Sequence, residues 1–176
     1  ANPKQSAFLL DKNGLAKNLR QSTDDTALDG YMTLAAELAK IKNLSAVFIP
    51  TSSGTTAQGI YNGFTKLKLN PQIHIIQTPA CHPMVENSSQ TCPSLATAIV
   101  DKIAHRKESV AQAVKSSQGN AWVCDNLEIK NAIAMAKQTE KINISPNSAL
   151  SVCGLIQAVK NNWKFSGPVV CILTGR

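Results

Sequence analysis

Ala46-Val47-Phe48-Ile49-Pro50-Thr51-Ser52-Ser53-Gly54-Thr55-Thr56-Ala57 is the stretch whose reading decides the fold. Four apolar residues closed by a proline are too few for a buried helix and read as a strand covered on both faces. A run of small residues follows, and then Ala57, Ile60, Tyr61, Phe64 and Leu67 recur at helical spacing. The unit is strand, turn, helix.

The same alternation extends in both directions. Upstream, Leu28, Tyr31, Leu34, Ala35, Leu38 and Ile41 form one helical stripe. Downstream, Ile73 to Ile76 reads as a strand, followed by a polar loop with Cys81, His82 and Cys92, and by helical patterns over 95–104 and 110–116. Ala121 to Cys124 is a further strand. Asp125 stands three residues before Glu128, the spacing of a capping box, and opens a helix through Ile129, Ala132, Ile133 and Ala136. Ile142 to Ile144 reads as a short strand, Asn147 to Asn161 as a helix, and Val169 to Leu173 as a last buried strand. Apolar strands alternating with helices predict an α/β fold in three layers, a mostly parallel sheet with helices on both faces. Ligands in such sheets bind beyond the carboxyl ends of the strands.

The 176 residues suit one domain, 1–176, with the role of 1–20 left open; 43% hydrophobic and 16% charged residues describe a globular chain able to bury a core. No apolar run approaches the roughly 18 residues of a membrane span, and the first residues lack a secretory signal pattern, so the expected setting is cytoplasmic, without a membrane partner. The formal charge is +7, yet only Arg20, Arg106 and Arg176 are arginines and the lysines are scattered, which argues against a nucleic-acid partner. Five cysteines are an odd number in no disulfide-framework spacing, and three lie within apolar runs, as free thiols in a reducing compartment do.

Ser52 to Thr56 carries the chemistry. A loop of glycine and hydroxyl residues between strand and helix leaves main-chain N–H groups free at the helix N-terminus, where the dipole also favours an anion. No lysine follows Gly54, so this is not a Walker A loop, and the three-glycine dinucleotide fingerprint is absent, which disfavours ATP and NAD. A phosphate cradle and an ordinary capped turn both fit the loop on its own.

Several blocks, in order, resemble the fold-type II pyridoxal-phosphate enzymes, and among them the threonine synthases. Ala27 to Leu38, containing Gly30-Tyr31-Met32-Thr33, is similar to that family's Gly-Tyr-x-Thr-x-Ala-x-Glu helix, and Pro50 to Ile60 to its strand, phosphate loop and helix. Ile76-Gln77 with Pro83, Gly119 to Ile129, Ser145-Pro146-Asn147-Ser148-Ala149 and Val169 to Gly175 resemble its later blocks. The resemblance runs from about residue 20 onward. It implies the large domain of the tryptophan synthase β-like fold, with pyridoxal 5'-phosphate as cofactor. Ser52, Ser53, Gly54, Thr55 and Thr56 would hold the cofactor phosphate, and Thr174 would set its hydroxyl against the pyridine nitrogen, where it accommodates an unprotonated ring. Thr174-Gly175 at a strand end favours threonine synthase over cysteine synthase or the threonine and serine dehydratases.

The resemblance also implies a lyase of threonine biosynthesis that acts on phosphohomoserine by γ-elimination and β-addition of water. Its Schiff-base lysine lies in a Ser-Phe-Lys-type segment, and no lysine here has those neighbours. The expectation is therefore a C-terminal portion, inactive alone and holding at most a phosphate or sulfate in the loop. Its partners would be the N-terminal half of the same enzyme, a phosphorylated amino-acid substrate and a second copy in a homodimer. Departures from the family pattern are Ser145 in place of glutamate and a loop poorer in Gly and Asn. The competing readings are another fold-type II lyase, of cysteine synthase or threonine and serine dehydratase type, and a phosphate-binding module without catalysis.

No metal site is expected: Cys81, His82 and Cys92 lack paired Cys-x-x-Cys spacing, and adjacent Cys81 and His82 point apart on an extended segment. His74, inside an apolar strand, reads as a core or edge histidine satisfied by hydrogen bonds. His105 and its cationic neighbours read as solvated helix-end charge, and Trp122 and Trp163 as packing residues.

Overall fold

The computed structural model describes residues 2–85 and 92–175. Four parallel strands, β1 (Ala46–Pro50), β2 (Gln72–Gln77), β3 (Ala121–Val123) and β4 (Val169–Cys171), form one sheet in the order β3-β2-β1-β4. Six helices accompany them among the described residues: α1 (Pro3–Lys12), α2 (Thr26–Leu38), α3 (Thr55–Lys66), α4 (Lys107–Ser116), α5 (Asn126–Thr139) and α6 (Pro146–Lys160). The three-layer α/β reading holds.

Strand alternation divides the core. Val47, Ile49, Ile73 and Ile75 pack with α2, α3 and α4 residues such as Ala35, Ile60, Phe64 and Val110, whereas Phe48 and Ile76 pack with Ile129, Leu150 and Cys153 of α5 and α6. Both faces of β1 and β2 are thus covered, which is why these strands read as unbroken apolar runs. The capping box forms as the spacing predicts: Glu128 N donates to Asp125 Oδ1 and Asp125 N to Glu128 Oε2, both at 2.9 Å.

Three expectations are corrected. The helix expected over 95–104 does not form, because several of its amides are taken by side chains distant in sequence. Leu95 N donates to Asn126 Oδ1 at 2.8 Å, Ala98 N to Asn147 Oδ1 at 3.0 Å, and Val100 N and Asp101 N both to Ser52 Oγ at 3.1 Å. Ile142 to Ile144 forms no strand; after the left-handed turn at Lys141 the segment contributes Ile144 to the α5–α6 core instead of entering the sheet. The last strand ends at Cys171, since Ile172 N makes a final bond to Phe48 O at 3.0 Å and Gly175 is then held by α6. In the undecided N-terminal stretch, α1 is capped by Asn2 and buries no residue, leaving Phe8, Leu9 and Leu10 exposed.

His74 is a core residue. Its Nδ1 accepts from Trp122 Nε1 at 3.1 Å, so Nε2 bears the proton and donates to Gln72 Oε1 at 3.1 Å, which also accepts from Trp163 Nε1 at 2.8 Å. The ring stacks on Phe48, 4.3 Å between centroids and 4° from parallel. Both tryptophans therefore donate as well as pack. Burial lowers the His74 pKa from 6.5 to about 4. A folded-state value below the unfolded one means this stability is whole above pH 6.5 and falls as pH drops toward 4. Urea denaturation at pH 7 and pH 5 is expected to show a loss of about 1–2 kcal/mol from this residue. His74→Gln should flatten that slope, and an unchanged slope would remove His74 as its source.

Candidate phosphate and cofactor site

Moving along the chain from β1 to β2 to β3, the sheet grows to one side; β4 then returns to the other side of β1. The strand order therefore reverses between β1 and β4, and the crevice beyond their carboxyl ends is the place where open α/β sheets bind ligands. The loop after β1 and the turn after β4 both open there. A cavity of ≈ 170 Å³ is lined by Ser52, Ser53, Gly54, Thr55, Thr56, Ala98, Ile99, Asn147 and Thr174 among others. All six residues expected to touch the cofactor thus face one space.

The loop conformation has a physical cause. Gly54 sits at φ 89° as the residue before α3, in the left-handed region that L side chains resist. A Cβ on Gly54 would also lie 2.7 Å from Val110 Cγ2 and 2.9 Å from Met84 Cε. Thr51 anchors the approach, its N bonded to Ile76 O at 2.8 Å and its hydroxyl to Ile49 O at 2.8 Å. Among the described residues, no hydrogen bond is donated by the main-chain amides of Ser52 through Ala57. These are the unpaired donors of a helix N-terminus, gathered at a concave surface.

The hydroxyls divide their work. Thr55 is buried, its hydroxyl donating to Gln21 O at 3.0 Å and lying 3.0 Å from Ser53 Oγ. Toward an anion Thr55 therefore offers its amide. Ser52 Oγ accepts from Val100 and Asp101 and keeps its own proton to donate. Thus Ser52 both faces the cavity and ties down the segment that walls it. The free amides, the helix dipole and the remaining hydroxyl protons match a dianionic phosphate ester, so the residues present fit the phosphate of pyridoxal phosphate.

Thr174 is exposed on the opposite wall, and its turn is fixed by α6. Gly175 N donates to Ser148 Oγ at 2.8 Å, Ser148 Oγ donates to Gly175 O at 2.6 Å, and Ser145 Oγ lies 3.4 Å from the same carbonyl. Ser145 also caps α6, its hydroxyl accepting from Ser148 N at 3.3 Å. Serine in the position of the family's glutamate thus joins the cap to the turn. Ser148→Ala is expected to cost about 1 kcal/mol in a urea melt and to broaden the Gly175 amide resonance; an unperturbed Gly175 would show that the turn is held otherwise.

Sequence reasoning overlooked two features. Lys4, Arg20, Ser22, Asp101 and Lys102 surround a second cavity of ≈ 440 Å³ that shares Ser52 and Ser53 with the first. Arg20 lies 3.6 Å from Asp101, and Ser22 Oγ is buried with no hydrogen-bond partner among the described residues. Arg106, grouped with solvated charge in the sequence, is 6% exposed. Its guanidinium donates to Gln21 O, Asp24 O, Asp25 Oδ1 and Gln58 Oε1, tying the segment before α2 to α3 and α4. His105 beside it is exposed, as expected. The periodicity that could have exposed Arg106 is absent because it lies one residue before α4. Cys81, His82 and Cys92 do not gather as a ligand cluster; His82 Nδ1 is 3.0 Å from Thr78 O. No described helix is long and apolar enough to cross a membrane.

A parallel α/β sheet with unbonded loop amides at its switch point defines a protein of the doubly wound class. The chain belongs to the pyridoxal-phosphate dependent enzyme family, whose model matches residues 8–175. It is 24% identical over 168 residues to threonine synthase of Mycobacterium tuberculosis strain H37Rv, covering 90% of this chain and 47% of that protein. The chain therefore spans about half the length of the curated relatives it matches. Among solved structures, the processed form of threonine deaminase isoform 2 from Solanum lycopersicum superposes with TM-score 0.73 at 20% identity, over 96% of this chain and 50% of that one. Serine racemase from Dictyostelium discoideum superposes with TM-score 0.68 at 18% identity, over 100% of this chain and 58% of that one. These structures share the fold.

Proposed function

We propose that this chain is the cofactor-phosphate-binding part of a threonine-synthase-like enzyme, which converts phosphohomoserine to threonine by γ-elimination and β-addition of water. The carrying observation is that Ser52 to Thr56 and Thr174 line a single cavity at the sheet's switch point, with the loop amides left unbonded. Pyridoxal phosphate, when bound, supplies the electron sink that stabilises a substrate carbanion. The amides of Ser53 to Ala57 and the Ser52 hydroxyl would hold its phosphate, and the Thr174 hydroxyl would hydrogen-bond the ring nitrogen without holding it protonated.

The adjoining cavity supports a phosphorylated amino-acid substrate. Arg20, Lys102 and Lys4 supply positive charge, and the unpaired Ser22 hydroxyl supplies a donor beside Ser52 and Ser53. Similarity to threonine synthase over nine-tenths of the chain, and Thr174-Gly175 after β4, favour this substrate over those of dehydratases or cysteine synthase.

The lysine that bonds the cofactor covalently would come from an N-terminal half of the same enzyme. Two surfaces support such a partner: β4 has a strand neighbour on one side only among the described residues, and α1 presents Phe8, Leu9 and Leu10 to solvent. A homodimer and a cytoplasmic setting belong to the same reading. The test is an assay of the protein in its full natural length with phosphohomoserine, O-acetylserine and threonine. Phosphate release coupled to threonine formation supports the reading; turnover of only the second or third substrate replaces it with a related lyase. Absence of any turnover together with phosphate binding replaces it with a binding module.

A further inference from the structure

Just past the carboxyl end of β3, where α5 packs on α6, lies a group of side chains that the proposed function leaves unused. Cys124 Sγ, Cys153 Sγ and a Glu128 carboxylate oxygen all lie within 4.8 Å of one another, with both cysteines buried and the glutamate half-buried. We infer that Cys124, Cys153 and Glu128 form a binding site for one thiophilic divalent cation of the zinc class.

Four features make this a built arrangement. Zinc takes thiolate sulfur at about 2.3 Å and carboxylate oxygen at about 2.0–2.2 Å, which puts neighbouring ligand atoms roughly 3.5–3.8 Å apart. The observed spacing contracts to that value through small side-chain rotations. Cys124 directly precedes the N-cap of α5 and Glu128 is its third residue, so the positive end of the α5 dipole faces a site that would carry a net charge of −1 when loaded. Cys153 and Gln157 are four residues apart on one face of α6, and Gln157 Nε2 donates to Glu128 Oε1 at 2.7 Å and to Val123 O at 2.9 Å. Together with the Asp125 amide on Glu128 Oε2, that bond orients the carboxylate as outer partners orient metal ligands. Finally, Glu128 is partly exposed, so the group borders solvent, from which an ion and a water as fourth ligand would come.

The hydrogen bond with Cys153 and burial each raise the Cys124 pKa, and metal ligation needs thiolates. Loading therefore exchanges two protons for one M²⁺: two Cys S–H bonds break, two M–S bonds form, and two protons leave to solvent. No oxidant is involved.

The experiment titrates the reduced full chain anaerobically with Co²⁺ and Cd²⁺, reading thiolate-to-metal charge-transfer absorbance and stoichiometry by calorimetry. The expected result is one equivalent bound with two thiolates, displaced by Zn²⁺. Cys124→Ala and Cys153→Ala should each abolish the band while Cys81→Ala and Cys92→Ala leave it. Because a core variant can fail to fold, Gln157→Leu and Glu128→Gln provide a second reading, each expected to weaken binding by about 10–100-fold. Absence of a one-equivalent band in folded reduced wild type overturns the site, as does a band that survives in Cys124→Ala and Cys153→Ala. Unaltered affinity in both Gln157→Leu and Glu128→Gln also overturns it, as does a two-hydrogen mass loss showing that the pair instead forms a disulfide under anaerobic reducing conditions.

Discussion

Gly54→Ala is expected to destabilise the chain by about 3 kcal/mol and to abolish phosphate binding. Two independent costs add. An L residue at φ 89° pays about 1–2 kcal/mol of backbone strain. The new methyl would also meet Val110 Cγ2 at 2.7 Å and Met84 Cε at 2.9 Å, an overpacking typically costing about 1–3 kcal/mol. Met84 can rotate away, whereas Val110 on α4 is β-branched and held in the core, so relief falls on the backbone of Gly54 itself. That backbone sets the direction of the amides of Gly54, Thr55 and Thr56, and stability and anion binding should therefore fail together. Urea denaturation with and without millimolar phosphate checks both: wild type should gain stability with phosphate by mass action, and the variant should gain none. A variant as stable as wild type would show that the loop is not constrained at Gly54.

Arg106→Met is expected to cost about 3–5 kcal/mol, the largest single effect outside the apolar core. The ion pair with Asp25 accounts for little of it, because the Asp25 side chain is 81% exposed and such pairs are worth about 0–1 kcal/mol. Most of the cost comes from the carbonyls of Gln21 and Asp24 and the amide oxygen of Gln58, which methionine leaves without their donors. Two controls separate these contributions. Asp25→Asn should change stability by under about 1 kcal/mol, and Arg106→Lys should remain strongly destabilising because an ammonium cannot reproduce the planar fork. Equal costs for Asp25→Asn and Arg106→Met would assign the role to the ion pair.

The architecture was legible where local chemistry and burial agree. β1 and β2 are covered on both faces, so Val47 to Ile49 and Ile73 to Ile76 announce themselves, and the α5 capping box depends only on Asp125 and Glu128. The helix expected over 95–104 failed because its amides are claimed by Asn126, Asn147 and Ser52, residues distant in sequence that no periodicity reveals. Ile144 was apolar for the core and not for a ladder. Within the candidate site, strand-loop-helix order pointed to Ser52 to Thr56 and the family resemblance to Thr174, and these residues line one cavity. The inward turn of Arg106 and the unpaired Ser22 hydroxyl depend on how the segment before α2 folds back over α3, and a one-dimensional reading carries no trace of that. Cys124 and Cys153 read correctly as buried thiols, but their meeting with Glu128 follows only from α5 packing on α6.

The most direct test of the cradle is a titration of the isotopically labelled chain with inorganic phosphate and with pyridoxal phosphate, followed by amide NMR. The amides of Ser53, Gly54, Thr55, Thr56 and Ala57 should shift together and saturably with both ligands, and Thr174 and Gly175 should respond to pyridoxal phosphate alone. Static resonances at Gly54 and Thr55, with saturable shifts elsewhere, would contradict the assignment.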